Sequence, residues 1–165
     1  MGQDLNLGAL GAAVGELLKR RKETVAVAES SAGGLINAAL VAVPGASEYY
    51  LGGRIVYTRP GRSALLGIKK EDMAGMRSAS EPFAQLLARR VRQALGATWG
   101  LAETGAAGPG GNRYGDPAGH ACLAVAGPVE AVVTLKTWSA DREANMHAFT
   151  RKALEILEDC LRKAS

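Results

Sequence analysis

The chain has 165 residues, enough for one compact domain, and its 47% apolar and 22% charged residues are those of an ordinary folded protein, which excludes disorder and fibrous scaffolds. Aromatics make up only 5%, so the core has to be built from Ala, Val, Leu and Ile, while 21 glycines and six prolines promise many tight turns. The net charge of +4 invites a nucleic-acid reading, but the clearest basic run, Lys19-Arg20-Arg21-Lys22, has no interleaved aromatics to stack bases and reads as a solvated helix end.

In chain order, Asn6 to Arg21 is predicted as a helix, because Leu7, Leu10, Val14, Leu17 and Leu18 recur at the three-and-four spacing of one buried face. Thr24 to Ala28 is a short apolar run rich in β-branched residues, the pattern of a strand buried on both faces. After Gly33-Gly34, Leu35 to Val43 reads as a second helix stopped by Pro44-Gly45, and Leu51 to Tyr57 as the next strand. Ser80 is suited to cap a helix carrying Phe83, Leu87, Val91 and Leu95, closed by Gly96. Trp99 to Glu103 is a further strand, followed by a glycine-rich loop from Gly105 to Gly119. His120 to Ala126 and Glu130 to Thr137 flank Gly127-Pro128 as a hairpin, and Asp141 caps a last helix that buries Met146, Phe149, Leu154, Leu157 and Leu161. This order predicts a single α/β domain over residues 1–165, a three-layer α/β/α sandwich whose mixed sheet is mostly parallel.

Neither a membrane span nor a secretory signal is expected: the longest charge-free stretch, Ser30 to Ser47, is broken by Asn37, Pro44 and glycines. Met1-Gly2 is followed by Asn6 where myristoylation wants Ser or Thr. Cys122 and Cys160 lie far apart without metal-ligand neighbours, so they are read as reduced, buried thiols of a cytoplasmic protein with no metal site. His147, on the last helix, is given no role.

Ligands of open α/β sheets bind beyond the carboxyl ends of the strands, and three loops qualify. Ala28-Glu29-Ser30-Ser31-Ala32-Gly33-Gly34 joins a strand to a helix. Its small residues let a ligand approach, the helix N-terminus offers N–H groups to an anion, and two hydroxyls stand at the mouth; an ordinary tight turn fits equally well. Thr104 to Gly111 matches neither the dinucleotide fingerprint nor the phosphate-binding loop, and is either an anion-binding concavity of backbone N–H groups or a flexible surface loop. Tyr57 to Arg62 contributes a phenol and the guanidiniums of Arg59 and Arg62.

These loops carry a resemblance. Ala28 to Gly34 is similar to the A-E-S-C-T-G-G motif of the CinA C-terminal domain, the competence/damage-inducible protein family whose active members are nicotinamide-nucleotide amidohydrolases. Pro44-Gly45-Ala46-Ser47 resembles its P-G-x-S, Thr104 to Gly111 its T-G-x-A-G-P-x-G-G, and Ala140-Asp141-Arg142 its G-D-R. The likeness runs from about Leu10 to Leu161. It implies hydrolysis of the carboxamide of nicotinamide mononucleotide to nicotinate mononucleotide and ammonia, without metal or cofactor. It also implies Ser30 as the nucleophile, with Tyr57, Thr104 and Arg62 in the catalytic group. Thr104, Ser47 and the backbone around Ser31, Gly33, Gly34, Gly105, Gly108, Gly110 and Gly111 would hold the phosphate or amide, and Arg142 would serve the anionic end. The resemblance, with the apolar stretch Tyr49-Tyr50-Leu51, leads to the expectation of a homo-oligomer. The expected partner is a small-molecule nucleotide, with nucleic acid ranked last.

The chain also departs from the pattern. Arg62 stands where the family has Lys, and a guanidinium does not lose its proton as a desolvated amine can. Ala32 replaces Thr, Asp116-Pro117-Ala118-Gly119-His120 replaces K-P-v-G-T, and Glu103 replaces an apolar residue. Two expectations follow: His120 is the candidate substitute base, or Glu103 and Arg62 pair across the site. The alternative to an active amidohydrolase is a catalytically silent relative that binds a nucleotide or a protein.

Overall fold

The computed structural model describes residues 6–164; Met1 to Leu5, including the Met1-Gly2 start, and Ser165 lie outside the described residues. Five strands, β1 (Val25–Glu29), β2 (Tyr50–Ile55), β3 (Trp99–Ala106), β4 (His120–Ala126) and β5 (Ala131–Lys136), alternate with helices α1 (Leu7–Arg21), α2 (Leu35–Val41), α3 (Arg59–Leu66), α4 (Glu81–Leu95) and α5 (Arg142–Lys163). The strands form one sheet in the order β2-β1-β3-β4-β5. β1 pairs parallel with β2 and β3, whereas β4 runs antiparallel to both β3 and β5. Four strands therefore share a direction and β4 opposes them, as the hairpin at Gly127-Pro128 requires.

Alternation along the strands builds two unlike cores. On one face Val25, Val27, Trp99, Leu101, Leu123 and Val125 pack beneath α1, α2 and α5. The other face is floored by Ala26, Ala28, Ala102, Ala124 and Ala126, and α4 lies on it through Phe83, Leu87 and Val91. A floor of methyl groups lets the helix come down close to the sheet. Gly100 marks the limit of that approach, because a Cβ there would run into the Ala88 carbonyl of α4.

The helix ends follow capping chemistry. Asn6, Ser80 and Asp141 each accept an N–H three residues on, from Ala9, Phe83 and Ala144, and Gly96 closes α4 in the left-handed conformation. Lys19, Arg20 and Arg21 occupy the last turn of α1, where Lys19 donates to the Pro44 carbonyl and Arg21 pairs with Glu23. Helix α3 corrects the expectation of a loop from Tyr57 to Arg62. Thr58 caps it, Pro60 sits in its first turn, where the missing N–H costs nothing, and only Leu66 is buried, so no apolar periodicity announces it. Of Tyr49-Tyr50-Leu51, only Leu51 is exposed; Tyr49 is buried and donates to the Leu40 carbonyl, and Tyr50 donates to Asn37. Both cysteines are buried and free. Among the described residues no helix is long and apolar enough to cross a membrane.

Gly100→Ala should destabilise the fold by about 1–3 kcal/mol, since α4 has to lift off its alanine floor to admit the methyl. A lower urea midpoint at unchanged m-value is the expected result, and an unchanged midpoint would refute the close-approach account.

Candidate active site

The site begins with two buried carboxylates at the ends of neighbouring parallel strands. The register pairs Ala28 with Ala102, the residues just before Glu29 and Glu103, and Ser30 and Thr104 beyond them line one cavity. Glu29 accepts the N–H groups of Gly34, Ile36 and Asn37, and the Asn37 side-chain amide at 2.6 Å. It thereby satisfies the N-terminus of α2 from inside the protein. The expectation that this terminus holds N–H groups ready for an anion is corrected: Glu29 already occupies them.

Glu103 does the same for the turn before α2. Its Oε2 accepts the N–H groups of Ser30 at 3.0 Å and Ala32 at 2.8 Å, while Oε1 meets the Ser31 hydroxyl. Burial pushes the Glu103 carboxyl up to about 7 even though those three donors pull it down, and the Glu29 charge adds to the rise. Burial likewise raises Glu29, against the pull of its N–H donors. Ser31 is therefore spent on Glu103 and buried, rather than facing a ligand.

The expected pairing of Glu103 with Arg62 does not form. Glu103 alternates with Thr104 along β3 and points to the opposite face, with Leu101, into the turn of residues 30–32. Arg62, on the α4 side, donates to Ser78 Oγ at 2.9 Å and lies over the Phe83 ring at 5.4 Å. The partner acquired with Glu103 is Ser31, which stands where the family motif has Cys.

On the α4 side, the carboxyl ends of β1, β2 and β3 open into a cavity of about 600 Å³. Ser30, Thr104 and Gly105 come from the strand ends, Tyr57, Arg59 and Arg62 from the entry to α3, and Arg113 and Tyr114 from the long loop after β3. Ser30 thus faces a cavity, and among the described residues no side chain accepts a hydrogen bond from its hydroxyl. Thr104 is buried and accepts the Ala79 N–H at 3.3 Å. Tyr57 is held from outside, where Arg142 donates to its hydroxyl at 2.9 Å and also to the Gly108 carbonyl. Arg142 accordingly ties the glycine-rich loop to the α3 entry. Asn145, which the sequence reading passed over, adds bonds to the carbonyls of Ala107 and Ser139.

Several expected residues lie elsewhere. Ser47 sits in a 3-10 turn of Ala46–Glu48 before β2, at the end of the sheet opposite Ser30, and is exposed. Gly33, Gly110 and Gly111 are exposed outside the cavity lining, and the Gly34 N–H is taken by Glu29. His120 is buried below the cavity; its Nε2 lies 2.8 Å from the Ala79 carbonyl and 3.6 Å from Asp116, and its Nδ1 is buried without a partner. Asp116 meanwhile pairs with Arg77 at 2.7 Å and accepts from Asn112, so the long loop is folded back with Arg113 and Tyr114 at the cavity. Arg113 and Tyr114 were missed because only the glycines of that loop drew attention. Opposing burial, the hydrogen bond from Ser78 and the charges of Arg113 and Arg59 hold the Tyr114 phenol below its usual range.

The model of the CinA C-terminal domain family matches residues 8–161. This chain belongs to the CinA family. A CinA-like protein of Prochlorococcus marinus is 47% identical over 120 residues, which cover 73% of this chain and 28% of that one. Another, from Trichormus variabilis, is 36% identical over 93% of this chain and 38% of its own length. The chain thus spans roughly a third of the length of the curated relatives it matches. The crystal structure of the competence damage-inducible protein A from Klebsiella pneumoniae superposes with a TM-score of 0.90 at 26% identity, covering 98% of this chain and 100% of the other. That of a competence/damage-inducible protein from Agrobacterium tumefaciens gives 0.87 at 27% identity, covering 98% and 99%. The fold of those CinA proteins is therefore that of this chain.

The raised carboxyl makes a signed prediction. The native state holds the Glu103 proton more tightly than the unfolded chain, so the stabilising margin is complete below about pH 4.5 and is lost as pH rises through about 7. A shift of that size corresponds to roughly 3 kcal/mol. Glu103→Gln copies the protonated form, with its amide oxygen accepting the two N–H groups and its NH₂ donating to Ser31. Melting curves from pH 4 to 8 should therefore slope downward in the unaltered protein and be flatter in the variant; parallel curves would rule the account out.

Proposed function

We propose that this CinA domain hydrolyses the carboxamide of nicotinamide mononucleotide, with Ser30 as nucleophile and the guanidinium-rich rim as the phosphate holder. The observation that carries this reading is the meeting of Ser30 and Thr104 in a cavity that also bears Arg59, Arg62 and Arg113, with no carboxylate in its lining. None of these three guanidiniums is in an ion pair among the described residues, so their charge is available to an anionic ligand. In the proposed reaction the Ser30 oxygen adds to the amide carbon and releases its proton, the C–N bond breaks, and the nitrogen departs as ammonia. Water then cleaves the ester, giving the carboxylate and restoring Ser30.

The proton released by Ser30 is the weak point of the scheme. Arg62 keeps its charge near neutral pH, and its guanidinium is engaged with Ser78 and Phe83. His120 offers the cavity no free nitrogen, because Nε2 meets the Ala79 carbonyl and Nδ1 is enclosed. Loss of general-base help lowers a rate by roughly 10²–10⁴-fold. The second reading, a silent relative that keeps the nucleotide pocket, is favoured by that same lack of an acceptor at Ser30.

Ammonia release from nicotinamide mononucleotide separates the two. Slow release abolished in Ser30→Ala is expected, together with a gain of about 10²-fold in Arg62→Lys, which supplies an amine able to lose its proton. Ser30→Ala should fold normally, since its bond to Glu103 uses the backbone N–H. Identical traces for the unaltered protein and Ser30→Ala, with no gain in Arg62→Lys, would leave the silent reading.

A further inference from the structure

The first cavity does not end at its guanidinium rim. A second cavity of about 900 Å³ lies beyond it, and Arg59, Arg62, Ser78 and Tyr114 line both. Two of these shared residues are joined directly, Arg62 donating to Ser78 Oγ at 2.9 Å. A phosphate held on the rim by Arg59 and Arg62 would therefore sit at the threshold of a second chamber.

That chamber has a distinct chemistry. Lys69, Lys70 and Arg77 join Arg59 and Arg62 in its walls, against one carboxylate, Glu71. Arg77 is already paired with Asp116 and lies 5.0 Å over the Tyr114 ring, whereas Lys69 and Lys70 are exposed and in no ion pair among the described residues. The remaining walls are apolar and pliable, with Ile68, Met73 and Met76. Unbranched thioether side chains adapt to a flat ring. Cations next to a soft apolar wall suit a phosphate followed by a heteroaromatic base.

We propose that the nucleotide site continues past Arg62 and Ser78 into this chamber, so that the protein binds a pyrophosphate-linked dinucleotide, with its second phosphate beside Lys69 and Lys70 and its second base against Met73 and Met76. The proposal rests on the nucleotide reading of the first cavity and extends it from a mononucleotide to a ligand with two phosphates. A mononucleotide needs only the first cavity. The second accounts for the three further cations, Lys69, Lys70 and Arg77, and the methionine wall, which a mononucleotide would leave untouched.

Titration calorimetry at low ionic strength tests this with three probes: nicotinamide mononucleotide, nicotinamide adenine dinucleotide and adenosine diphosphate. The unaltered protein is compared with a Lys69→Glu/Lys70→Glu double variant, whose changes fall on exposed side chains. The expected result is that the dinucleotide competes with the mononucleotide and that the double variant weakens the dinucleotide and adenosine diphosphate about tenfold or more, leaving the mononucleotide within about twofold. The proposal is overturned if the mononucleotide binds and the other two do not, or if all three weaken equally; the mononucleotide reading survives the first of these results. Conversely, adenosine diphosphate binding that depends on Lys69 and Lys70, with no mononucleotide binding, supports the chamber and removes the nicotinamide reading. If none of the three binds, both fall.

Discussion

Two carboxylates buried at the ends of adjacent strands organise this end of the molecule. Glu29 and Glu103 together satisfy five backbone N–H groups between Ser30 and Asn37, a stretch that would otherwise enter the core with its donors unpaired. Their bonds fix where β1 stops, how the chain turns and where α2 starts, and so which way Ser30 faces. Carboxylates this deep are not held without cost: burial raises both, Glu103 to about 7, with the Glu29 charge a smaller contribution there. The turn is stiff because its donors have nowhere else to go. Among the described residues the hydroxyl of the serine it displays has no hydrogen-bond partner, its backbone N–H being held by Glu103.

The departures from the CinA pattern fall into interacting sets rather than scattered changes. Glu103 and Ser31 replace an apolar residue and a cysteine, and they bond to each other. Asp116 and His120 replace a lysine and a threonine within one loop. They lie 3.6 Å apart, and Asp116 adds Arg77 to the set. A buried hydroxyl and a buried carboxyl stabilise one another where either alone would be an unpaired polar group. Arg62 belongs to neither set: it turns to a hydroxyl and an aromatic face on the other side of the sheet. The framework of the turn is thus rebuilt with internal partners, while the position of the family lysine has changed chemical character.

The strands were legible because their signal is local: β-branched apolar runs bounded by glycine and proline place β1, β3, β4 and β5 to within a few residues. The meeting of Ser30 with Thr104 was also legible, since they stand at or near the carboxyl ends of parallel strands that open on the same side. The carboxylate roles were hidden: Glu103 drew attention only as a partner for Arg62, and its bonds to the turn of residues 30–32 join positions more than 70 residues apart, with no local pattern. Helix α3 was hidden by Pro60 and Gly61 and by its nearly absent buried face. Ser47 shows the opposite error. A motif can mark a family while serving the fold, and this one packs at the far end of the sheet. Arg113 and Tyr114 reach the cavity through a fold-back fixed by Asp116, a long-range bond with no local pattern.

Alternation along β3 also separates the charges of the site. Thr104 faces the cavity, whereas Glu103, one residue earlier, faces away, so the negative group that holds the turn is kept off the surface where an anion would bind. The separation is incomplete, since Glu103 still touches the Ser30 N–H. Ionising it sets a negative charge next to Ser30, which would oppose an anion at the mouth of the cavity. Protonating it removes that field while keeping all three hydrogen bonds. The guanidiniums of Arg59, Arg62 and Arg113 line that cavity and are in no ion pair among the described residues. An anion at this rim would meet those cations and the field of one buried carboxyl, so the group that holds the turn also bears on the potential at Ser30.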